Sequence, residues 1–172
     1  MKLISEKHAL DKLHRLKTDF TGRVSTEYEY KAKSCSTCET QGGCCLDAHF
    51  VNVHITRLEA ATIRNEIGKF SIEKQAEIFD RIEETIEKYD LTAGGDTFAA
   101  TYACPLFEKG TGCLVHEKGK PLPCIQHACY ENKEDLPPHE LLAEQEGLVE
   151  RLNRRTYAEP PKWLPVPLFI RR

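Results

Sequence analysis

The sequence predicts a small, mainly helical α+β domain organised with long loops around cysteine-ligated metal, and three observations carry that expectation. Apolar residues three and four apart recur in several stretches and mark amphipathic helices. One short segment, Ala48 to Ile55, alternates in the manner of a strand. Eight cysteines fall in two groups about sixty residues apart, beside Gly, Ser, Thr and Pro. That is the setting of ligands rather than of thiols that fill a core.

Taken in order, residues 5–20 repeat apolar positions at Ala9, Leu10, Leu13, Leu16 and Phe20, which predicts a helix with Ser5 as its N-cap. A polar stretch from Thr21 to Ser34 leads to the first cysteines. After the short strand, Thr56-Arg-Leu-Glu59 is a capping-box signature opening a helix that Gly68 can close. Ser71 begins the clearest helix, with Ile72, Ala76, Phe79, Ile82, Ile86 and Tyr89 as its packed stripe. Leu91 to Tyr102, containing Gly94-Gly95, reads as a loop or short strand. Pro137-Pro138 precedes a last helix over about 139–155, with Leu141, Leu142, Leu148, Val149 and Leu152 on one side. The Pro-rich tail from Pro160 to Arg172 should wrap over the domain or dangle. No repeat or second-domain signal is present, so the expectation is one domain over 1–172. Its core is placed at about 35–130, with the N- and C-terminal helices packed on it.

The first cysteine group reads Cys35-Ser-Thr-Cys38-Glu-Thr-Gln-Gly-Gly-Cys44-Cys45, and the second comprises Cys104, Cys113, Cys124 and Cys129. A CxxC turn brings two thiolates to the ~3.7 Å separation that a tetrahedral ion with ~2.3 Å bonds to sulfur requires. Gly42 and Gly43 let the backbone fold back so that Cys44 or Cys45 reaches the same ion. Adjacent side chains diverge, so the vicinal pair is poorly placed to ligate one ion together. One member serves the site begun by Cys35 and Cys38, and the other serves a second site or stays uncoordinated. The simplest count is two sites, each drawing on both groups. Zinc and iron, the latter also as an iron–sulfur cluster, both accept such ligands. His49, His116 and His127 lie near cysteines and are candidate replacements for one of them. A disulfide framework is the competing use of cysteine, and it suits oxidising compartments and domains too small to bury a core. The charged N-terminus has no apolar signal-peptide segment, and 172 residues suffice for an ordinary core. A cytoplasmic protein is therefore expected.

Composition argues against several partners. Apolar residues make up 40% of the chain and charged residues 30%, and the formal net charge is −3, which is not the basic balance of a nucleic-acid binder. No apolar run approaches the ~18 residues that cross a bilayer. The metal ion is the expected partner, with a protein partner left open. No catalytic pattern stands out. Ala93-Gly-Gly-Asp96 lacks the GxGxxG spacing of a nucleotide cradle, and Asp47, beside Cys45, is the one carboxylate placed to act as a base near a metal. A binding role is therefore read ahead of a catalytic one.

Cys35-x2-Cys38-x5-Cys44-Cys45, followed by Cys104-Pro-Leu-Phe-x4-Gly-Cys113-Leu-Val-His-Glu and Lys120-Pro-x-x-Cys124, resembles the YkgJ-type cysteine-cluster family of zinc- or iron-chelating domains. The resemblance covers roughly residues 35–130. It implies Cys35, Cys38, Cys44, Cys45, Cys104, Cys113 and Cys124 as ligands, while Cys129 joins them only through the count of eight. Lys120 stands where that family usually has Arg, Gly119 is a one-residue insertion, and Ile125 replaces a following Arg. Because related domains occur in flagellin lysine methylases, the resemblance also implies a second reading, a methylase-like or redox activity.

Overall fold

Helix-capping residues and apolar periodicity place most of the secondary structure in a computed structural model that describes residues 2–34, 40–46 and 52–171. The chain groups into two compact units, each assembled from two segments. One comprises Met1–Gln41 with Pro121–Pro161, the other Gly42–Lys120 with Lys162–Arg172. Each unit has its own set of packed elements.

The first unit is helical. In α1 (Glu6–Glu27) the Ser5 hydroxyl accepts from the His8 N–H, as expected of an N-cap. Ala9, Leu13, Lys17, Phe20 and Val24 are its buried residues, at steps of three and four. The helix outruns the expected end near residue 20. Val24 extends the stripe by one more turn, and no proline interrupts 21–27. α1 packs against α4 (Leu122–Gln126) and α5 (His139–Tyr157), which also pack on each other. Leu122, Leu141 and Val149 are buried in these two helices. β1 (Ala32–Lys33) pairs antiparallel with β5 (Cys129–Tyr130), placing Lys33 opposite Cys129.

In the second unit, β2 (His54–Ile55) pairs with β6 (Leu164–Pro165). The expected strand began at Ala48, and its first residues, 48–51, lie outside the described residues. The capping box at Thr56 and Glu59 is formed in both directions and opens α2 (Arg57–Ile67). Gly68 closes that helix in the right-handed region, at φ −61°, rather than through a left-handed turn. The tail wraps. α6 (Val166–Ile170) packs on α2 and on α3 (Ile72–Lys88), and the Arg64 Nη1 donates to the Phe169 carbonyl at 2.6 Å. Tyr102, fully buried, donates to the Val53 carbonyl and accepts from the Val166 N–H, which fastens the end of the 91–102 loop beneath the tail.

One expectation about α3 is corrected. Ile72 is 81% exposed, and the buried residues are Ile78, Ile82 and Thr85. The inward face is therefore rotated from the predicted stripe. Arg81 falls one turn from Ile78 and one from Thr85, on the side that meets the second cysteine group.

Candidate metal centre

Two short pieces of chain from different cysteine groups meet in the second unit. Gly42 has φ +77°, a left-handed conformation that L side chains rarely adopt. A Cβ there would lie 2.0 Å from the Phe107 ring. Only glycine satisfies both demands, and the result is a ring seated directly on the backbone of the first cysteine loop. The loop then tightens into a 3-10 turn, Gly43–Cys45, with the Cys45 N–H donating to the Gly42 carbonyl at 2.7 Å. From the other side, the Cys104 N–H donates to the Cys45 carbonyl at 2.8 Å. Residues some sixty positions apart are thereby fixed backbone to backbone.

The second group supplies a turn and a hairpin. The Phe107 N–H closes the Cys104-Pro-Leu-Phe turn on the Cys104 carbonyl at 3.1 Å. β3 (Phe107–Glu108) then pairs with β4 (Gly112–Cys113), setting Phe107 opposite Cys113. The left-handed Gly112, at φ +94°, completes the reversal. The same aromatic residue that packs on Gly42 is thus the cross-strand partner of Cys113.

The sulfur atoms sit among amide donors. Burial pushes the Cys104 thiol up to about 12. Opposing this are backbone N–H groups of Leu106 and Phe107 directed at the sulfur and the positive charge of Arg81, while Cys113 adds to the rise. Burial raises Cys113 as well, against the Val115 N–H and the charge of Lys120, with Cys44 close enough to raise it further. Amide groups two residues ahead therefore point at both sulfurs, an arrangement that stabilises a thiolate once it forms. Cys113 is thus an electrostatic neighbour of Cys104 on one side and of Cys44 on the other. An open cleft of about 520 Å³, lined by Glu66 and residues 111–117, gives Cys113 a solvent-facing side.

Arg81 was missed by the sequence reading, which treats a charged residue on an amphipathic helix as solvated. Its Nη1 donates to the Phe107 carbonyl at 3.3 Å. Its Nε and Nη2 are buried and have no hydrogen-bond partner among the described residues. Glu108, a carboxylate that feels its charge, is held by Lys74 at 2.8 Å. The signal that could have located it is a charged residue three and four positions from Ile78 and Thr85.

In the first unit, Cys124 lies in α4, and the exposed Cys129 lies in β5 opposite Lys33. Lys33 precedes Cys35 by two positions in the sequence. Cys35 and Cys38 themselves lie outside the described residues, as do His49 and Asp47. His127 is exposed at the C-cap of α4, and His116 is exposed beyond the hairpin. Gln126 Oε1 and the Tyr130 hydroxyl are buried without a hydrogen-bond partner among the described residues.

No disulfide joins any two of the six described cysteines. Among the described residues, no three His, Cys, Asp or Glu side chains stand close enough together to hold an ion, and no described helix is long and apolar enough to cross a membrane. Gly94-Gly95 forms a plain turn, with the Gly95 N–H on the Thr92 carbonyl at 3.1 Å. Compared with known proteins, the chain matches no family model, no curated protein and no solved structure.

Proposed function

We propose that the protein binds zinc or iron through the thiolates of its two cysteine groups. The observation that carries this reading is the closure of the Cys44-Cys45 turn onto the Cys104–Cys113 hairpin, with backbone amides directed at the sulfurs of Cys104 and Cys113. Thiols that merely filled space would have no use for amide donors, whereas metal-bound thiolates, which carry charge, are stabilised by them. The buried donors of Arg81 fit the same chemistry, because a loaded thiolate centre offers the acceptor that they lack. The resemblance to YkgJ-type cysteine-cluster domains supports the reading, with Cys35, Cys38, Cys124 and Cys129 as the remaining ligand candidates.

Bound metal would supply the electrostatic stabilisation that keeps these thiolates deprotonated near neutral pH. The protein's own residues set the geometry: Gly42 and Phe107 fix the approach of the two loops, and the turn amides orient the sulfurs. A second reading, a metal-dependent enzyme of methylase-like or redox type, draws on the cleft beside Cys113, because catalysis needs an accessible coordination position.

Anaerobic purification followed by elemental analysis and an absorption spectrum tests the proposal. A brown protein with a broad band near ~400 nm assigns an iron–sulfur cluster. A colourless protein with stoichiometric zinc assigns the zinc form. A protein that retains neither metal, and takes up neither when they are supplied under reducing conditions, defeats the reading.

A further inference from the structure

A guanidinium brought into a protein interior normally has a partner for each of its donors, because stranding them forfeits the hydrogen bonds that water provided. Arg81 departs from this rule. One nitrogen, Nη1, is tied to the Phe107 carbonyl, which holds the side chain against the Cys104–Phe107 turn. The other two, Nε and Nη2, are buried without partners among the described residues, and Glu108 is committed to Lys74. The group that feels Arg81 from inside the turn is Cys104. A neutral thiol is a weak acceptor and leaves these donors poorly used. A metal-bound thiolate is a good one, and several thiolates around one divalent cation leave an excess of negative charge.

Resting on the metal-binding reading above, we propose that Arg81 is the internal counter-cation of the cysteine centre, its Nε and Nη2 donating to metal-bound sulfur at the Cys104 turn. Arg81 is thus a positioning residue, not a ligand. It balances the charge of the loaded centre and fixes the orientation of the Cys104 sulfur. In the metal-free protein two buried guanidinium donors lack an acceptor among the described residues, and loading supplies one. Arginine suits this task better than lysine, because its planar fork presents two donors in fixed directions while the third holds the Phe107 carbonyl.

The test uses the whole 172-residue chain, made metal-free under reducing conditions and titrated with Co²⁺ and Zn²⁺ against a chelator of known affinity. Arg81→Met keeps the apolar length and removes the charge and donors. Its Co²⁺ and Zn²⁺ affinities are expected to fall at least about tenfold, the lower end of what removing an outer partner of a metal ligand does. The melting temperature of the metal-free variant should equal or exceed that of the unaltered protein, because two unsatisfied buried donors have been replaced by apolar surface. Arg81→Lys should recover part of the affinity. If Arg81→Met does not fold, Arg81→Gln serves in its place, with the same expected loss of affinity.

Unchanged affinity in the Met or Gln variant overturns the proposal while the cysteine centre stands. So does an equal fall in the melting temperatures of the metal-free and loaded forms, which would make Arg81 a strut for the turn. If the unaltered chain takes up no metal, or Cys104→Ser and Cys113→Ser bind it as tightly as the parent, the cysteine centre itself fails and takes the role of Arg81 with it.

Discussion

The two units solve the placement of cysteine in different ways. In the first, Cys124 rides on a five-residue helix packed against two long ones, and Cys129 sits in a two-residue ladder. Its position is inherited from ordinary apolar helix packing. In the second, Cys44, Cys45, Cys104 and Cys113 occupy a 3-10 turn, a closed turn and a tight hairpin, held by backbone hydrogen bonds and by an aromatic ring on a glycine. A scaffold of packed helices keeps its shape whatever the cysteines hold. A scaffold of turns around half-buried thiols and two unsatisfied guanidinium donors depends on what binds there.

Metal removal is the strongest way to break that comparison. If the loops are ordered by metal, chelation should speed hydrogen exchange across 35–50 and 104–129, most of all over 104–120. α1 and α3 should stay protected. Cys38→Ser or Cys104→Ser should lower metal content and thermal stability together, since structural metal binding is worth on the order of 10 kcal/mol of folding free energy. Equal exchange in the 104–120 loops before and after complete removal would show that the turns stand alone. The exposed Cys129 sharpens the same point: Cys129→Ser should lose less metal and less stability than Cys104→Ser, read from elemental analysis and melting curves of the two variants.

Gly42→Ala is the next largest effect. It places a Cβ inside the Phe107 ring and asks alanine to hold φ +77°. A loss of about 2 kcal/mol in denaturant unfolding is expected from the strain and the displaced ring. Gly94→Ala, where nothing lies within 4 Å of the added carbon, serves as its control and should be near neutral.

The buried thiol gives a smaller effect, visible only in metal-free protein. Cys104 titrates from an ordinary value of 9.0 when unfolded to about 12 in the fold. Between those values the unfolded chain has released a proton that the folded chain still binds. Stability should therefore be level below about pH 9 and fall as pH rises towards 12, at roughly 1 kcal/mol per unit from this group. Metal-loaded protein, whose thiolate binds no proton, should lack this slope. Denaturant unfolding across pH 8–11 with and without metal checks it, and parallel curves would count against Cys104 as a ligand. Smallest of all is Ile72→Ser: at 81% exposure it should change stability by no more than about 0.5 kcal/mol, whereas burial of Ile72 in the predicted stripe would have made it costly.

Much of the scaffold was legible because its signals are local. Ser5, Thr56 and Ser71 cap the helices they were expected to cap, since a hydroxyl needs only the first turn's N–H groups to do so. The 139–157 helix follows from two prolines and a leucine-rich face in the same way. The end of α1 was misjudged because Val24 is a lone apolar residue in a polar run, and only its burial shows that the stripe continues. The stripe of α3 was misjudged because apolar residues outnumber the positions its neighbours cover. The surroundings left Ile72 in solvent and drew in Thr85 and the side of Arg81.

By itself, the sequence determined the helix-rich α+β character, the capped starts of the helices and the two cysteine groups in glycine-bearing turns, because each depends on residues within a few positions of one another. Tertiary structure alone decided the rest: that the tail returns to pair with His54–Ile55, that Phe107 lies on Gly42 and carries Cys113 to the neighbourhood of Cys44, and that Arg81 faces the cysteine turn with two donors unspent. Those contacts join residues from about 25 to more than 100 positions apart. Their energies depend on which surfaces meet, and no local pattern of residue types records that.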